Sequence, residues 1–513
     1  MSILLRRNSA ILLTIVILLT ACAQTSAQPA PQESPSEATA APPPSITLAV
    51  AQPTQPDPSA VAPALASSAT PASPASQRTR YILDATLNYG QHHLKVDEQI
   101  FYRNQTPDAL IELVLMVDPL YYFGVFQLKD MAWDDGQPVE GYTQEAGWLR
   151  LPLRLPLKPG EAIKLNLSYE LSLPAPARSP LLRPIPFGYS ERQANLVDWY
   201  PFIPPYLPGK GWLAHKAGYY GEHLVYESAD FEVNIQIEDK RPDLIIAASA
   251  PATQDGAGYH YRHENARNFA WSASHQYQIA TRKVGDTTLL GYSFPFHKEA
   301  GERALQTAAQ ALELYSRLFG PYPRQQLSVV EADFLDGMEF DGLFFLSNGF
   351  YNLFKDTPAE YLVAISAHET AHQWWYAQVG NDQALEPWLD EALCTYSERL
   401  FYENVYPEAL DWWWQYRVNF YQSRGWVDQR IYNPYGETEA YRAYRDAVYL
   451  NGAVFLEELR KLIGDQAFFE FLKDYPQKYA YQIATGNDFF TTLRKHTQTD
   501  LAPLTAKYFA NPP

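Results

Sequence analysis

Cysteine and basic side chains are scarce in this sequence of 513 residues. The two cysteines, Cys22 and Cys394, stand in unrelated contexts, so no framework of structural disulfides is implied, and we expect Cys394 to be a buried thiol. Lysine and arginine together number 40 against 58 aspartates and glutamates, which gives a formal net charge of −18. This acidity argues against nucleic acid and against an anionic membrane surface as partners.

Apolar runs long enough to span a bilayer are also lacking after Cys22. Residues 1–21 are typical of a secretory signal, with two arginines before an apolar run. The segment Leu19-Thr20-Ala21-Cys22 resembles a bacterial lipobox, in which the peptide is removed before the cysteine and the thiol carries a lipid. We therefore expect an exported protein that is anchored by lipid to the bacterial cell envelope. An uncleaved anchor, or an ordinary signal with an incidental cysteine, remains the alternative.

Residues 22–78 differ from the rest of the chain in composition. They lack aromatic side chains and are dominated by proline, alanine, serine, threonine and glutamine. Such a segment cannot bury enough apolar area to offset the entropy that is lost when a chain becomes ordered. The composition predicts a disordered tether.

Residues 79–286 show an alternation of apolar and polar side chains with a period of two. The alternation is clearest in residues 149–157, 163–171 and 231–237, and it is typical of half-buried strands. Clusters rich in proline and glycine separate the runs and mark turns. The pattern predicts an all-β domain.

In residues 287–513 the apolar period changes towards 3.6, which is typical of helices. Apolar side chains between Ala304 and Leu318 fall on one face of a predicted helix, and Leu327–Val330 is predicted to be a strand. Further on, Thr357 is suited to cap a helix, and Glu360 to complete a capping box. We predict a mainly helical region.

The strongest chemical signal is a His-Glu-x-x-His motif at residues 368–372. His368 and His372 are four residues apart, so on a helix both imidazoles reach one zinc ion from the same face. Glu369 is placed to act as a general base on water. Glu391 can supply a third ligand and leave the fourth zinc position open. The sequence predicts a hydrolase with one Zn²⁺ per chain.

The spacing of these ligands resembles that of the aminopeptidase N family of gluzincins. Gly337-Met338-Glu339 is similar to the family's Gly-x-Met-Glu-Asn substrate loop, and Tyr449-Leu450-Asn451-Gly452 is similar to its Tyr-x-Lys-Gly segment. The resemblance covers about residues 79–510. It implies an α+β multidomain fold, in which an N-terminal all-β saddle-like domain is followed by a mainly helical thermolysin-like catalytic domain.

The resemblance also implies a role for each site residue. Glu369 is the general base, and Tyr449 donates a hydrogen bond to the oxyanion, with Tyr444 and Tyr441 as alternatives. Glu339 in the substrate loop pairs with the free α-ammonium of a peptide. The implied reaction is the release of N-terminal residues from peptide substrates.

Three departures from the family pattern affect this expectation. Phe340 replaces the asparagine of the substrate loop, and Asn451 replaces the lysine of the tyrosine segment. The sequence also ends at Pro513, so we expect the large helical C-terminal domain of many members to be absent. A more open site with looser selectivity is the expected consequence.

Several alternatives stay open at this point. The chain could be an endopeptidase on the same scaffold, a non-catalytic lipoprotein with a zinc site, a structural envelope protein, or a protein whose two motif histidines lie on a helix surface. Thermolysin-like endopeptidases are the nearer rival, but their third ligand lies one residue further away and they lack the substrate loop. Asp390 could orient a ligand or be an ordinary acid at a helix start. The sequence does not indicate the oligomeric state.

Overall fold

A computed structural model describes most of the chain from Arg78 onward. It describes residues 78–175, 186–218, 220–255, 258–421, 423–432 and 437–512. The predicted signal, tether and lipidation site at Cys22 lie outside the described residues. Among the helices in these ranges, none combines the length and apolarity that crossing a membrane requires.

The N-terminal half is built from sheets. Its strands are β1 (Arg80–Asn88), β2 (His93–Arg103), β3 (Leu110–Met116), β4 (Phe126–Trp133), β5 (Thr143–Glu145), β6 (Trp148–Leu157), β7 (Ala162–Ser172), β8 (Gly188–Tyr189), β9 (Ala194–Leu196), β10 (Tyr206–Leu207), β11 (Gly211–Trp212), β12 (Ala229–Ile237), β13 (Ile245–Ala248), β14 (Ala252–Asp255), β15 (Gly258–Ala266) and β16 (Trp271–Ser274). Seven of them form one sheet in the order β14-β15-β12-β1-β2-β7-β4, in which only β1 and β12 are parallel. The all-β prediction for this half is confirmed.

The alternation of apolar and polar side chains predicts which residues are buried in most strands of this half, and β6 is an exception. Leu149 and Leu151 are buried as predicted, whereas Leu155 is 79% exposed. The register between β3 and β6 shifts between Leu110 and Glu112, so the last part of β6 is not paired residue by residue. Because a bulge breaks the two-residue period, the leucine run does not keep one face buried throughout.

A second sheet carries the substrate loop. Its strands are β17 (Gln278–Val284), β18 (Thr287–Ser293), β19 (Gln326–Ala332), β20 (Gly337–Phe340) and β21 (Leu343–Ser347), in the order β17-β18-β19-β21-β20. The strand predicted at Leu327–Val330 is part of β19. The domain boundary expected after residue 286 falls in the turn between β17 and β18, two strands that pair with each other.

Both faces of this second sheet are covered, which explains its continuous apolar strands. Phe344 and Leu346 belong to the core shared with the helices, while Leu343 and Phe345 belong to the core shared with the N-terminal sheets. The sheet therefore joins the β-rich half to the helical half.

The remainder of the chain is mainly helical, as predicted. The helices are α1 (Lys298–Leu318), α2 (Asn348–Asn352), α3 (Tyr361–Ala371), α4 (Trp388–Val405), α5 (Leu410–Trp412), α6 (Glu437–Arg445), α7 (Gly452–Ile463), α8 (Asp465–Lys478), α9 (Gly486–His496) and α10 (Ala502–Tyr508). Helix α1 covers the second sheet and also packs on α3, which packs on α4. The α+β fold places the motif helix at the centre of the helical half.

The predicted capping box of the motif helix is wrong. Helix α3 begins at Tyr361, and no side chain caps its first turn. The Thr357 hydroxyl instead accepts a hydrogen bond from the backbone N–H of Ala359, and the Glu360 carboxylate accepts one from the N–H of Lys355. Both side chains stabilise the turn before the helix, a competing local use of the same groups.

Candidate metal centre and active site

The three predicted zinc ligands converge between α3 and α4. Glu391 Oε2 lies 3.2 Å from His368 Nε2 and 3.6 Å from His372 Nε2. One donor atom from each residue falls within 4.8 Å of the others, and all three side chains are buried. Two imidazole nitrogens and one carboxylate oxygen are the donor set of a catalytic zinc site with an open position.

Each imidazole is oriented by a hydrogen bond from its other nitrogen. His368 Nδ1 donates to Glu398 Oε1 at 2.8 Å, and His372 Nδ1 donates to the carbonyl of Trp375 at 3.0 Å. Donation from Nδ1 leaves Nε2 of each ring as the acceptor that can bind a metal. The ring orientations therefore fit a bound cation.

Glu398 is a functional residue that the sequence analysis missed. Its buried carboxylate accepts two hydrogen bonds from Arg417, at 2.9 and 2.8 Å, and one from Trp413 Nε1 at 2.8 Å. Burial raises the pKa of Glu398, but the charge of Arg417 and the bonds from Arg417 and His368 outweigh it, so the pKa lies below its ordinary value. Glu398 is two helical turns after Glu391 on α4, and this spacing was the available signal.

The charges around the donor set also fit a divalent cation. Burial, followed by the nearby carboxylate of Glu222, raises the pKa of Glu391 well above its ordinary value. Burial and the neighbouring His368 lower the pKa of His372, which favours the neutral form that binds metals. A cation among these groups would offset the repulsion between the acids.

Glu369 lies beside the ligands with one oxygen available. Among the described residues, its buried Oε2 has no hydrogen-bond partner. Its other oxygen lies so close to Gly337 that a Cβ at that position would overlap it. Strand β20 therefore passes directly against the predicted base, which explains why glycine is needed there.

The substrate loop forms β20, an edge strand of the second sheet. Glu339 on this strand is 6% exposed and accepts a hydrogen bond from Gln383 Nε2 at 3.1 Å. The same nitrogen donates to Asp390 Oδ2 at 2.9 Å, so Gln383 bridges two buried acids. Burial, followed by Glu222, Glu391 and Asp390, raises the pKa of Glu339. A positively charged group would be stabilised beside these carboxylates.

The other two residues of β20 face away from the site. Met338 and Phe340 are buried in the core shared with the N-terminal sheets, and the Phe340 ring packs edge to face on Phe345 at 5.9 Å. Met338 belongs to the segment that is similar to a substrate loop, with Gly337 and Glu339 as the other residues expected to bind substrate, and its side chain lies in this core. The departure at Phe340 thus fills the core, while its carbonyl accepts a hydrogen bond from Gln373.

Tyr449 is the tyrosine that reaches the metal ligands. It lies in a π-helical turn, Asp446–Asn451, between α6 and α7, and such turns are frequent at functional sites. Its hydroxyl donates to Glu391 Oε1, and its ring is nearly parallel to that of His368 at 6.0 Å. Burial, followed by Glu391, raises the pKa of Tyr449 and keeps the hydroxyl protonated as a donor.

The two alternatives to Tyr449 have other contacts, although the ring of Tyr444 also packs edge to face on that of Tyr449 at 5.9 Å. Tyr444 is buried against Tyr220, with ring centroids 4.9 Å apart, and Tyr441 donates to Asp336 at 3.4 Å. The departure residue Asn451 donates to the carbonyl of Gly425 at 2.8 Å. Its side chain therefore stabilises the helix turn and does not reach the ligands.

Asp390 combines the two roles that the sequence left open. It is fully buried in the first turn of α4, and its Oδ1 accepts a hydrogen bond from the backbone N–H of Glu391. Its Oδ2 is bound by Gln383, which also holds Glu339. Asp390 therefore positions the third ligand and links it to the substrate strand.

Known proteins of similar sequence are peptidases. Residues 303–508 match the profile described as Peptidase family M1 domain. An aminopeptidase N from Lactobacillus helveticus is 26% identical over 306 residues, which are 55% of this chain and 36% of that protein. A leucyl aminopeptidase from Saccharolobus solfataricus is 22% identical over 244 residues, or 44% of this chain and 30% of that protein. The chain thus spans about a third of the length of these two relatives.

Solved structures share the fold over a larger part of the chain. An M1 zinc metallopeptidase from Deinococcus radiodurans superposes with a TM-score of 0.57 at 20% identity, covering 82% of this chain and 91% of that one. A mutant of a Deinococcus radiodurans M1 zinc metallopeptidase, bound to a Tyr-Ser-Ala substrate, gives a TM-score of 0.58 at 19% identity and covers 85% and 95%. The predicted resemblance is confirmed, and residues 303–508, which hold the ligand triad, Glu369 and Tyr449, form a peptidase family M1 domain of the aminopeptidase N-like gluzincins.

Proposed function

We propose that this protein is a zinc-dependent aminopeptidase that releases N-terminal residues from peptides. The observation that carries the proposal is that β20 brings Glu339 close to Glu369 and to the ligand Glu391. Glu339 lies two residues along β20 from Gly337, and Gly337 lies against Glu369. A binding group for an amine is thereby placed about 7 Å along the strand from the base.

The edge strand suits an extended peptide. Because β20 is the last strand of its sheet, its outer backbone groups can pair with a substrate chain. Glu339 then binds the α-ammonium through a charged hydrogen bond, and Gln383 and Asp390 fix its position from behind. The peptide is thereby aligned by its end and by its backbone.

Proton transfer and oxyanion binding fall to two side chains. Zinc, when bound by His368, His372 and Glu391, polarises the scissile carbonyl and makes a water more acidic. Glu369 accepts a proton from the attacking water and delivers it to the leaving amine. Tyr449 donates its hydroxyl proton in a hydrogen bond to the oxyanion that develops.

The test compares free and N-acetylated forms of one peptide on zinc-loaded protein. Acetylation removes the charge that Glu339 binds, so kcat/KM should fall by at least about tenfold. Glu339→Gln should erase most of this difference while it retains zinc, and Glu408→Gln, far along the chain beyond α4, should keep it. Equal cleavage of both peptides by the wild type would identify an endopeptidase on this scaffold.

We also propose that the protein is exported and held at the cell envelope by a lipid on Cys22. The support is the lipobox-like sequence and the composition of residues 22–78. Cys22→Ser should move the protein from the membrane fraction to the soluble fraction, because the thiol is the site of lipid attachment. A Cys22→Ser protein that still fractionates with membranes contradicts this proposal.

A further inference from the structure

Asp336 is an exposed acid at the start of the substrate strand. It has a backbone φ of +83°, a left-handed conformation that aspartate tolerates better than most residues. In a regular continuation of β20 it would share the buried face of Met338 and Phe340. The positive φ ends that alternation, and Asp336 is exposed where the other two are buried.

Hydrogen bonds fix Asp336 in this conformation. Its Oδ1 accepts from the backbone N–H of Gly337 at 3.1 Å, and its carbonyl accepts from the N–H of Ser347 at 2.9 Å. Its Oδ2 accepts from the hydroxyl of Tyr441 at 3.4 Å. Tyr441 is on α6, the helix that leads into the turn of Tyr449. The carboxylate therefore lies between the substrate strand and α6, the helix that precedes the turn of Tyr449.

The order of residues along the strand places Asp336 relative to a bound peptide. Glu339 is the amine-binding end, and Gly337 lies against Glu369, where the scissile bond must be. Asp336 comes next in the same direction. If the N-terminus of a peptide lies at Glu339, the first residue of the peptide lies between Glu339 and Gly337. The residue after the scissile bond then lies beside Asp336.

The negative charge of Asp336 acts within the site. It contributes to raising the pKa of both Glu369 and Glu391, after burial and other acids. The neighbouring cation Arg417 is already paired with Glu398 through two hydrogen bonds. Within the described part of the chain, the side chain of Asp336 forms hydrogen bonds with Gly337 and Tyr441 and no ion pair. Its carboxylate can accept a further cationic partner.

We propose that Asp336 is a specificity-determining residue that favours lysine or arginine immediately after the scissile bond. The inference rests on the proposed aminopeptidase function, because that function sets the direction of the peptide. The flexible side chain of lysine or arginine extends from the peptide to the exposed carboxylate and forms a solvent-accessible ion pair. Glutamate at the same position meets like charge.

The experiment measures kcat/KM for Leu-Lys-Gly, Leu-Gln-Gly and Leu-Glu-Gly with free N-termini. For the wild type we expect the lysine peptide to exceed the glutamine peptide by about fivefold, the size of an exposed ion pair, and the glutamate peptide to be the poorest. Asp336→Asn keeps the backbone conformation and the acceptor for Gly337, and it should bring the three values together. Raising the salt concentration should reduce the wild-type preference, since exposed charges are screened.

A matched control removes an acid at a distance from the cleft. Glu408 lies 17 positions after Glu391, beyond the far end of α4, which corresponds to about 25 Å along a helix. Glu408→Gln should leave the order of the three peptides as in the wild type. Equal cleavage of all three peptides by the wild type, or an unchanged order in Asp336→Asn, overturns the inference and leaves the aminopeptidase proposal standing. Failure to cleave any free peptide overturns the proposed function itself.

Discussion

At the residue scale, Tyr449 is distinguished from its neighbours by a contact with a metal ligand. Its hydroxyl donates to Glu391, whereas Tyr444 packs on Tyr220 in the core. Tyr449→Phe keeps the ring that stacks on His368 and removes the donor. We expect kcat to fall by about a hundredfold or more with bound zinc unchanged, because an oxyanion donor acts mainly in the transition state.

The control for this prediction is Tyr444→Phe, the alternative that the sequence left open. It should keep kcat close to the wild-type value, since its ring packs on Tyr220 and its hydroxyl lies beside Gly221. Steady-state kinetics and metal analysis on both variants decide the assignment. A larger loss of kcat in Tyr444→Phe than in Tyr449→Phe would contradict it.

The residues that could be predicted are those whose spacing carries geometric meaning. His368 and His372 were identified because four residues make one helical turn, and Glu369 because it adjoins them. Glu398 was missed because its role depends on Arg417 and Trp413, which the fold brings from a later segment. The exposed position of Asp336 depends on one backbone angle, which the residue type alone does not specify.

At the element scale, helix α4 supplies both a ligand and the residue that orients another ligand. Glu391 and Glu398 are seven residues apart on it, and the second holds the ring of His368. Glu398→Gln should weaken zinc binding by about tenfold to a hundredfold, because partners that orient ligands contribute on that scale. It should also lower the melting temperature, since Arg417 is left buried without its countercharge.

Competition with a zinc chelator gives the affinity, with His372→Ala as the reference for loss of a direct ligand. We expect the zinc affinity of Glu398→Gln to lie between those of the wild type and His372→Ala. Zinc affinity equal to that of the wild type would mean that Glu398 stabilises the fold without orienting the metal site.

The elements themselves were predictable to different extents. Strands β7 and β12 follow from simple alternation, and α1 follows from its apolar stripe. The start of α3 was misplaced, because Thr357 and Glu360 fit a capping box by sequence while both bind backbone groups of the preceding turn. Local hydrogen-bonding groups have several partners available, and the sequence does not say which one tertiary packing favours.

At the scale of the whole molecule, Arg267 links the β-rich half to the helical half. Its buried guanidinium donates to the carbonyls of Tyr226, Ala377, Gln378 and Gln482. Burial lowers the pKa of Arg267 to about 10, so the group stays charged at neutral pH. Arg267→Ala removes all four bonds; the carbonyls of Gln378 and Gln482 keep the backbone N–H donors of Tyr481 and Gly380, whereas those of Tyr226 and Ala377 lose the donor that Arg267 supplies.

We expect Arg267→Ala to lower the free energy of unfolding by more than about 3 kcal/mol, as the loss of several charged hydrogen bonds implies. Urea unfolding measures it, with Arg262→Ala on the exposed side of β15 as a control that should stay near the wild type. Equal stability of the two variants would mean that the junction is held by apolar packing of the second sheet alone.

The order of a β-rich half before a helical half was visible in the change of period from two to 3.6. The junction between the two halves could not be predicted from the sequence. The second sheet is apolar on both faces, and its strands β17 and β18 lie on either side of the expected boundary. The role of Arg267 could not be predicted either, since its partners are backbone carbonyls that any residue could supply.

The central claim, a zinc peptidase with Glu369 as its base, is tested most directly by one comparison on one pair of proteins. Wild type and Glu369→Gln are purified together, and bound zinc and peptide hydrolysis are measured on the same samples. Glu369 is not a ligand, so the variant should hold one zinc per chain, while kcat falls on the order of a hundredfold to ten-thousandfold because the proton acceptor is lost. The account would be contradicted if the variant holds as much zinc as the wild type and still hydrolyses the peptide at more than about a tenth of the wild-type rate.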